Sequence, residues 1–165
     1  MNYKIRRWEK SDANILAKRM NNIHIWTKLT DFTPLPYTRE DAVAYIARSI
    51  RDSKSSCYGI FVDGEVVGAV DFKINHGPYA ITAMLNFWID ELDNSEQIIV
   101  EVLTDLSRHL FTHQPIIKVI APILDSDTQK IVQLEKVGFT HEATIKRTIL
   151  KSGKIHDLQI YSMTE

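Results

Sequence analysis

The stretch Ile116-Ile117-Lys118-Val119-Ile120-Ala121 decides the fold, because it is short, apolar and bounded by Pro115 and Pro122. A run of this kind is typical of a buried strand, since prolines interrupt helices. The segment from Ser95 to Thr112 precedes it and carries apolar residues at the spacing of an amphipathic helix. An earlier strand is predicted over Ala80–Ile89. A strand, a crossover helix and a second strand form a right-handed parallel unit, so we expect the two strands to be parallel neighbours.

A hairpin is predicted on the N-terminal side of this unit. The dipeptide Asp63-Gly64 suits the positive φ angles of a type I′ turn, and strand-forming runs flank it at Tyr58–Val62 and Glu65–Val70. A first strand is predicted over Tyr3–Trp8, where apolar and polar residues alternate.

Three further helices are predicted from their end signals. One begins near Ser11 and Asp12, which are common N-cap residues, and one begins after Thr38. The last runs over Thr128–Val137 and ends at Gly138, because glycine readily takes the left-handed conformation that terminates helices.

Two more strands follow from Phe139 and turn at Lys151-Ser152-Gly153-Lys154. The complete order is β-α-α-β-β-β-α-β-α-β-β, which predicts an α/β fold (α+β in its mixed sheet). Because no linker, repeat or low-complexity tract interrupts the chain, we expect residues 1–165 to form a single domain.

The composition excludes several classes of protein. Apolar residues make up 44% of the 165 residues and the net charge is −1, so the chain is not disordered. The 20 Lys and Arg against 21 Asp and Glu leave no positive excess for nucleic acid. Cys57 is the single cysteine, which excludes a disulfide framework, and His109 and His113 lack a third ligand for a metal. No apolar run approaches the roughly 18 residues of a membrane span, so we expect a cytoplasmic protein that binds no membrane.

Several segments, in the same order along the chain, carry a family resemblance. They are 34–42 (PLPYTREDA), 63–68 (DGEVVG), 87–89 (FWI), 134–139 (LEKVGF) and 151–161 (KSGKIHDLQIY). Together they cover nearly the whole chain. The sequence is similar to the GNAT superfamily of acyl-CoA-dependent N-acyltransferases, and within it to the ribosomal-protein-alanine/serine acetyltransferases of the RimJ/RimL type.

The resemblance implies a GNAT fold with acetyl-CoA as co-substrate, held in a splayed gap between the strands 80–89 and 116–121. It implies that the pantetheine arm pairs with free backbone of the first strand and that the pyrophosphate lies at the N-terminus of the next helix, where orphan N–H groups favour an anion. The corresponding residues are Phe87, Trp88 and Ile89 for the arm, and Asn94, Ser95, Glu96, Gln97 and Ile98 for the pyrophosphate.

The expected pyrophosphate loop departs from the family pattern. It contains no glycine and no basic residue, and four carboxylates stand in it: Asp90, Glu91, Asp93 and Glu96. Like charges at this spacing repel, so these carboxylates predict weaker binding of a pyrophosphate. Acidic and cap-forming residues at a helix start also stabilise the helix itself, and this alternative remains open.

Two further positions bear on the cofactor. Asp127 and Lys130 stand where the family has an Asn-x-x-Ser pattern that contacts the CoA arm, and the resemblance implies cofactor contacts for both. Asp127 is also a common N-cap residue, and Lys130 could supply a positive charge for a phosphate. Met84 replaces a carboxylate that often precedes the Gly-Tyr-Trp motif, which removes one candidate general base.

Several residues are candidates for acting on the acceptor. Glu142 is a candidate general base and Tyr161 a candidate general acid, while Asp71 or an ordered water chain could also take the proton. Trp26, Phe32 and Tyr37 lie in the region where the family closes over its acceptor, and we predict that they contact it or form a rigid apolar cover.

Two hypotheses follow for the function. The first is an N-acetyltransferase that moves an acetyl group from acetyl-CoA to a primary amine, either a protein N-terminus or a small amine, by direct attack. The alternative is a GNAT-fold protein with lost or weak CoA binding that acts as a non-catalytic binding module. The sequence predicts either a monomer or a homodimer and does not identify the acceptor.

Overall fold

The computed structural model describes residues 3–52, 55–91 and 95–165. Within these ranges the chain forms seven strands, five helices and two short 3-10 turns. The strands are β1 (Tyr3–Arg7), β2 (Ser55–Val62), β3 (Glu65–Ile74), β4 (Thr82–Ile89), β5 (Lys118–Leu124), β6 (Thr140–Lys151) and β7 (Lys154–Thr164). The helices are α1 (Ala13–Met20), α2 (Ile23–Trp26), α3 (Arg39–Arg51), α4 (Ser95–His113) and α5 (Thr128–Val137). The 3-10 turns are Lys10–Asp12 and Gly77–Tyr79.

The strands form one mixed sheet in the order β1-β2-β3-β4-β5-β7-β6. Strands β4 and β5 are parallel and joined by α4, whereas the other neighbouring pairs are antiparallel. The predicted fold class is therefore confirmed. The one-turn helix α2 is an addition to the predicted order, because its four residues are too few to show a helical period in the sequence.

Strand β5 continues through Pro122 instead of stopping before it. Its partner on one side is β7, where Glu165 donates its N–H to the carbonyl of Ile117 and Asp125 donates to Asp157. Because backbone direction alternates along a strand, Pro122 faces away from β7, so its missing N–H costs no bond to that strand.

Helices cover both faces of the sheet. Helices α4 and α5 pack on one face, with Ile99, Leu103 and Leu134 fully buried against the strands. Helices α1 and α3 cover the N-terminal half of the other face, where Leu16 and Ile46 are buried in one cluster with Trp8, which directly follows β1, and Phe61 of β2. The sheet that contains β4 and β5 thus has a layer of helices on each face.

Local signals placed several element ends as predicted. Asp63 and Gly64 both have positive φ, 50° and 84°, in the β2–β3 turn. Gly138 ends α5 at φ 109°, and the hydroxyl of Thr38 caps α3. Asp12 stands at the N-cap position of α1, as predicted, but its side chain makes no capping bond to that helix. Its carboxylate instead accepts from the guanidinium of Arg6 at 2.7 and 2.8 Å and from the backbone N–H of Glu9 at 2.8 Å.

Two further properties concern only the residues within the described ranges. None of their helices is long and apolar enough to cross a membrane. His109 and His113 stack at 4.2 Å between ring centroids on α4, and no cluster of three or more His, Cys, Asp or Glu side chains is positioned to hold a metal ion.

Candidate active site

Strands β4 and β5 separate after a short paired segment. Their register runs from Thr82↔Lys118 to Met84↔Ile120, which is three residue pairs. Beyond these pairs β4 continues to Ile89 and β5 to Leu124 without pairing to each other. The sheet therefore contains a V-shaped gap that opens toward the C-terminal ends of the two strands.

Within the described residues, the backbone of β4 past Met84 has no strand partner on the side of this gap. The carbonyl of Thr82 accepts from the backbone N–H of Asn75, and the backbone N–H of Asp90 donates to the carbonyl of Val67. The backbone N–H and C=O groups of the even-numbered residues of β4 therefore face β3. Because successive residues of a strand alternate in direction, the N–H and C=O groups of the odd-numbered residues, including Phe87, face β5. Past Met84 they face the gap, where an extended ligand chain could pair with them.

The close approach of β3 to β4 at this point depends on a glycine. A Cβ atom on Gly68 would lie 2.8 Å from the carbonyl oxygen of Trp88 and 3.1 Å from the side chain of Ile60. A backbone oxygen cannot move away as a flexible side chain can. Gly68 therefore allows β4 to pack tightly on β3 while its other edge stays open.

The mouth of the gap is formed by residues 88–91 at the end of β4 and residues 127–133 on α5. It encloses a cavity of about 60 Å³, which also touches α2 and the residues after it. Lys28 crosses it: its ammonium lies 3.4 Å from Oε1 of Glu91 and 3.2 Å from Oε1 of Gln129. The side chain thereby bridges the two sides of the mouth.

Lys130 places a second ammonium in the mouth. Its Nζ lies 3.6 Å from Oδ2 of Asp127, 3.3 Å from the carbonyl oxygen of Lys28 and 5.3 Å from the ring centroid of Phe87. Burial lowers the pKa of Lys130, and the charge of Asp127 opposes that shift. Asp127 also caps α5, since its Oδ1 accepts from the backbone N–H of Lys130 at 3.2 Å. The carboxylate thus both starts the helix and balances the ammonium.

Gln133 is a residue of this mouth that the sequence analysis missed. The residue is 1% exposed and lines the cavity, and within the described part of the chain neither polar atom of its amide has a hydrogen-bond partner. Such a buried amide is costly unless something pairs with it. The available signal was its position three residues after Lys130, which places the two side chains next to each other on α5.

The carboxylates near the expected pyrophosphate loop are neutralised by cations from other elements. Arg19 of α1 pairs with Asp90 at 2.5 Å, Lys28 pairs with Glu91 and Lys136 of α5 pairs with Glu96. Three of the four carboxylates thus have a cationic partner, while weaker binding of a pyrophosphate by this loop stays a prediction. Asp93 and Asn94 lie outside the described residues.

The side chains of the first turn of α4 are buried or paired with neighbouring residues. Ser95 and Ile98 are buried, and Ile98 belongs to the core. Gln97 donates to Oε1 of Glu101 at 2.9 Å, and Glu96 faces Lys136. Backbone N–H groups are thus the means by which this turn could contact an anion.

A larger pocket lies on the opposite face of the sheet, between β3, β4 and the helices α1 and α3. Its volume is about 630 Å³, and Phe87 and Trp88 of β4 contribute to its lining. Phe32 and Tyr37 line it as well; Phe32 is fully exposed and Tyr37 is buried, which raises the pKa of Tyr37 to about 12. This pocket and the mouth of the gap both contact Trp88.

Trp26 supports the pocket without lining it. Its indole N–H donates to the carbonyl of Thr33 at 2.8 Å, which orders the segment around Phe32. The ammonium of Lys151, at the β6–β7 turn, lies 3.9 Å from the centroid of the Trp26 ring. Trp26 therefore links two loops at the edge of the pocket.

A sequence comparison with protein families decides the identity of this arrangement. The acetyltransferase (GNAT) domain family matches residues 5–160. The chain belongs to this family of acyltransferases. A search of curated protein sequences finds no significant match.

Solved structures share the GNAT fold over the whole chain. The ribosomal-protein-S5-alanine acetyltransferase from Vibrio fischeri is 16% identical with a TM-score of 0.87, covering 99% of this chain and 93% of that one. A RimL-type ribosomal L7/L12 alpha-N-protein acetyltransferase in complex with coenzyme A is 18% identical with a TM-score of 0.85, covering 99% and 94%. The spermidine N-acetyltransferase from Vibrio cholerae in complex with CoA and spermine is 15% identical with a TM-score of 0.82, covering 98% and 95%. The predicted resemblance to this superfamily, with ribosomal-protein acetyltransferases among its neighbours, is confirmed.

Within this GNAT fold the two predicted catalytic residues lie apart. Tyr161 is aligned with Ala121 of β5, just past the last β4–β5 pair, and its hydroxyl donates to Oε1 of Glu135 at 3.2 Å. Burial, together with Glu135, raises the pKa of Tyr161.

Glu142 lies at the closed end of the β4–β5 pair. Its carboxylate contacts the ammonium of Lys118 at 2.5 Å, and Lys118 is aligned with Thr82. The hydrogen bond from Lys118 lowers the pKa of Glu142. A carboxylate that is paired and less basic in this way, at the end of the strands opposite the gap, is poorly suited to be the general base.

Proposed function

We propose that this protein is an acetyl-CoA-dependent N-acetyltransferase that acetylates a primary amine. The observation that carries the proposal is the gap between β4 and β5, which adjoins a second, larger pocket at Trp88. An acyl donor lying in the gap could thus meet an acceptor held in the pocket. The CoA complexes of two structural neighbours support this choice of donor.

The donor would be held mainly by backbone and by two lysines. The pantetheine arm would pair with the backbone of β4 at Phe87 and Ile89, on either side of Trp88, and the pyrophosphate would approach the first turn of α4, residues 95–98. Lys28 would then exchange Glu91 for a phosphate oxygen. Such an exchange costs little because both partners are anionic oxygens at a half-exposed site.

The α5 side of the mouth would contribute the remaining polar contacts. The amide of Gln133 has no hydrogen-bond partner among the described residues, and it could bind an amide group of the pantetheine arm. The ammonium of Lys130, beside Phe87, could stabilise the negative charge that develops on the departing sulfur. Asp127 would position Lys130 as it does in the free protein.

The transfer itself would be a direct attack. The neutral amine forms a bond to the thioester carbonyl carbon, the carbon–sulfur bond breaks and CoA leaves as the thiolate. The amine proton passes to a base, for which Asp71 or a water is better placed than Glu142. Holding both reactants in adjoining sites supplies much of the rate.

CoA binding tests this proposal directly. The melting temperature of the purified protein is measured with CoA, acetyl-CoA and, as a matched control without the pantetheine arm, adenosine 3′,5′-bisphosphate. At about 100 times its dissociation constant, a ligand that binds only the folded state stabilises it by about 2.7 kcal/mol. We expect CoA and acetyl-CoA, which both carry the pantetheine arm, to raise the melting temperature more than the control. No shift at millimolar CoA would contradict the proposal.

A non-catalytic binding module is the second candidate. It is favoured by the small volume of the mouth, about 60 Å³, and by the Lys28 side chain that crosses it. Under this alternative Lys28 and Glu91 hold the mouth shut. The same melting experiment separates the two, because a closed module shows no shift with CoA.

A further inference from the structure

Asn86 stands where the large pocket meets the gap between β4 and β5. We propose that its side-chain amide binds the reacting group of the acceptor: Oδ1 accepts a hydrogen bond from an N–H of the neutral amine and so directs the nitrogen lone pair at the thioester carbon. This inference rests on the proposed transferase function and adds a residue to its acceptor site.

The side chain of Asn86 lies on the pocket face of the sheet. Trp88, two residues later, belongs to the core cluster that α1 and α3 cover. Because side chains alternate between the two faces of a strand, Asn86 lies on the same face as Trp88. Both residues line the pocket of about 630 Å³. Among the residues of β4 in that lining, Asn86 is the one whose side chain can accept a hydrogen bond.

Asn86 also lies near the narrow end of the gap. The last β4–β5 pair is Met84↔Ile120, and two residues of a strand span about 6.6 Å. A pantetheine arm that pairs with β4 first at Ile89 and then at Phe87 runs toward this pair, so its acyl end would come next to Asn86. A chain that pairs with β4 as a strand does would lie about 4.8 Å from it. The acyl group and the Asn86 side chain would thus be neighbours.

The other charged side chains of the pocket lie further from the gap. Asp71 belongs to β3, one strand further away, and the rest belong to α3 or to the segment before it: Asp31, Asp41 and Arg48. These groups can contact the body of an acceptor. The reacting nitrogen needs a partner on β4, and Asn86 provides one.

The side-chain amide of Asn86 is available to a ligand. The residue is half-buried, and within the described part of the chain Oδ1 and Nδ2 make no hydrogen bond. Its backbone, in contrast, is aligned with Asp71 and belongs to the sheet. An amide that is partly withdrawn from water and has no partner gains from a ligand that supplies one.

A neutral amide suits this position chemically. The amine attacks through its lone pair and must therefore be neutral, and a neutral primary amine has two N–H bonds. A carboxylate would favour the ammonium form, because an opposite charge stabilises the protonated state. Asn86 accepts one N–H without this effect. The lone pair then forms the bond to the carbonyl carbon, the carbon–sulfur bond breaks and CoA leaves as the thiolate. The amine proton passes to a base and not to Asn86.

A pair of CoA derivatives tests this contact independently of the rest of the acceptor. In both, the sulfur carries a –CH2–C(O)– link, which ends in –NH–CH3 in the amide and in –O–CH3 in the ester. The two differ only in an N–H or an oxygen where the acceptor nitrogen would lie. Calorimetry with the full chain measures Kd for both and for CoA. We expect the wild type to bind the amide about three- to tenfold more tightly than the ester, the factor that one neutral hydrogen bond provides.

Variants at two positions of β4 assign this preference. N86A removes the side-chain amide, so the Kd values of the two derivatives should become about equal, while CoA, which has no group at this position, keeps its affinity. M84A shortens the preceding side chain on the same face and is the matched control, with the preference of the wild type. N86V lacks polar atoms but favours a strand, and it should lose the preference as N86A does. The test therefore does not depend on the folding of one variant.

Three results would overturn the role of Asn86. The first is equal binding of the amide and the ester by the wild type, and the second is a preference that persists in N86A or N86V. The third is an equal loss of the preference in M84A, which would mean that any change on this face has the same effect. If the wild type binds none of the three ligands, the transferase function itself fails, and this result is distinct from CoA binding without a preference for the amide.

Discussion

Arg19 Nη1 lies 2.5 Å from Oδ2 of Asp90, and this ion pair joins α1 to the residue that directly follows β4. Asp90 is only 14% exposed in its side chain, and its backbone N–H donates to the carbonyl of Val67 at 2.7 Å. The end of β4 is therefore held by β3 and by α1 on the side away from β5. This arrangement leaves the gap open and removes a negative charge from its mouth.

We expect R19M to weaken CoA binding and to lower the free energy of unfolding by about 1–3 kcal/mol, because it leaves the half-buried Asp90 without its cation. Urea unfolding and calorimetry with CoA measure the two effects. The double variant R19M/D90N should recover much of both losses, since no unpaired charge remains. If R19M alone binds CoA as tightly as the wild type, the ion pair does not organise the mouth.

Lys28 has opposite effects under the two functional candidates. If it exchanges Glu91 for a phosphate, K28M weakens CoA binding and reduces its dependence on salt, because one ion pair with the ligand is lost. K18M removes an exposed lysine from α1 and is the matched control, with no expected change. Tighter CoA binding by K28M would show instead that Lys28 obstructs the mouth.

Gly68 is expected to be essential for the position of β4. In G68A the new methyl group would meet the backbone oxygen of Trp88 at 2.8 Å, so β4 must shift. We expect a loss of about 1–3 kcal/mol in stability, as for other overpacked sites, together with weaker CoA binding. G153A is the control: its φ of 73° makes alanine unfavourable too, but it lies in the β6–β7 turn and should leave CoA affinity unchanged. A normal CoA affinity in G68A would refute the argument.

Acid should destabilise the protein partly through Asp12. The hydrogen bonds from Arg6 lower the pKa of Asp12 below its usual 3.8. A lowered pKa in the folded state means that the stabilisation is fully present above pH 3.8 and is lost as the pH falls through the folded value. D12N should therefore reduce stability at pH 7 and flatten its fall below pH 4. D105N removes a carboxylate from an exposed pair with Arg108 and should change neither the stability at pH 7 nor its fall in acid. If the stability of D12N falls in acid as that of the wild type does, Asp12 does not make this contribution.

The sequence by itself determined the elements whose signals are local. The Asp63-Gly64 turn, the helix end at Gly138 and the cap at Asp127 each depend on the conformational preferences of a few adjacent residues. The order of these elements then predicted the parallel β4–β5 pair, because a crossover helix of this length permits few other topologies. The same segments predicted the family of the chain. They did not identify the acceptor.

Tertiary structure alone decided the charges and polar groups of the site. Arg19 and Asp90 are 71 residues apart, Lys28 and Gln129 are 101 apart, and no local preference encodes such pairs. The same reason explains why Gln133 was missed and why Glu142, predicted as a base, instead contacts Lys118. Local conformation depends on neighbours in the chain, whereas burial and ion pairing depend on which distant elements the sheet brings together.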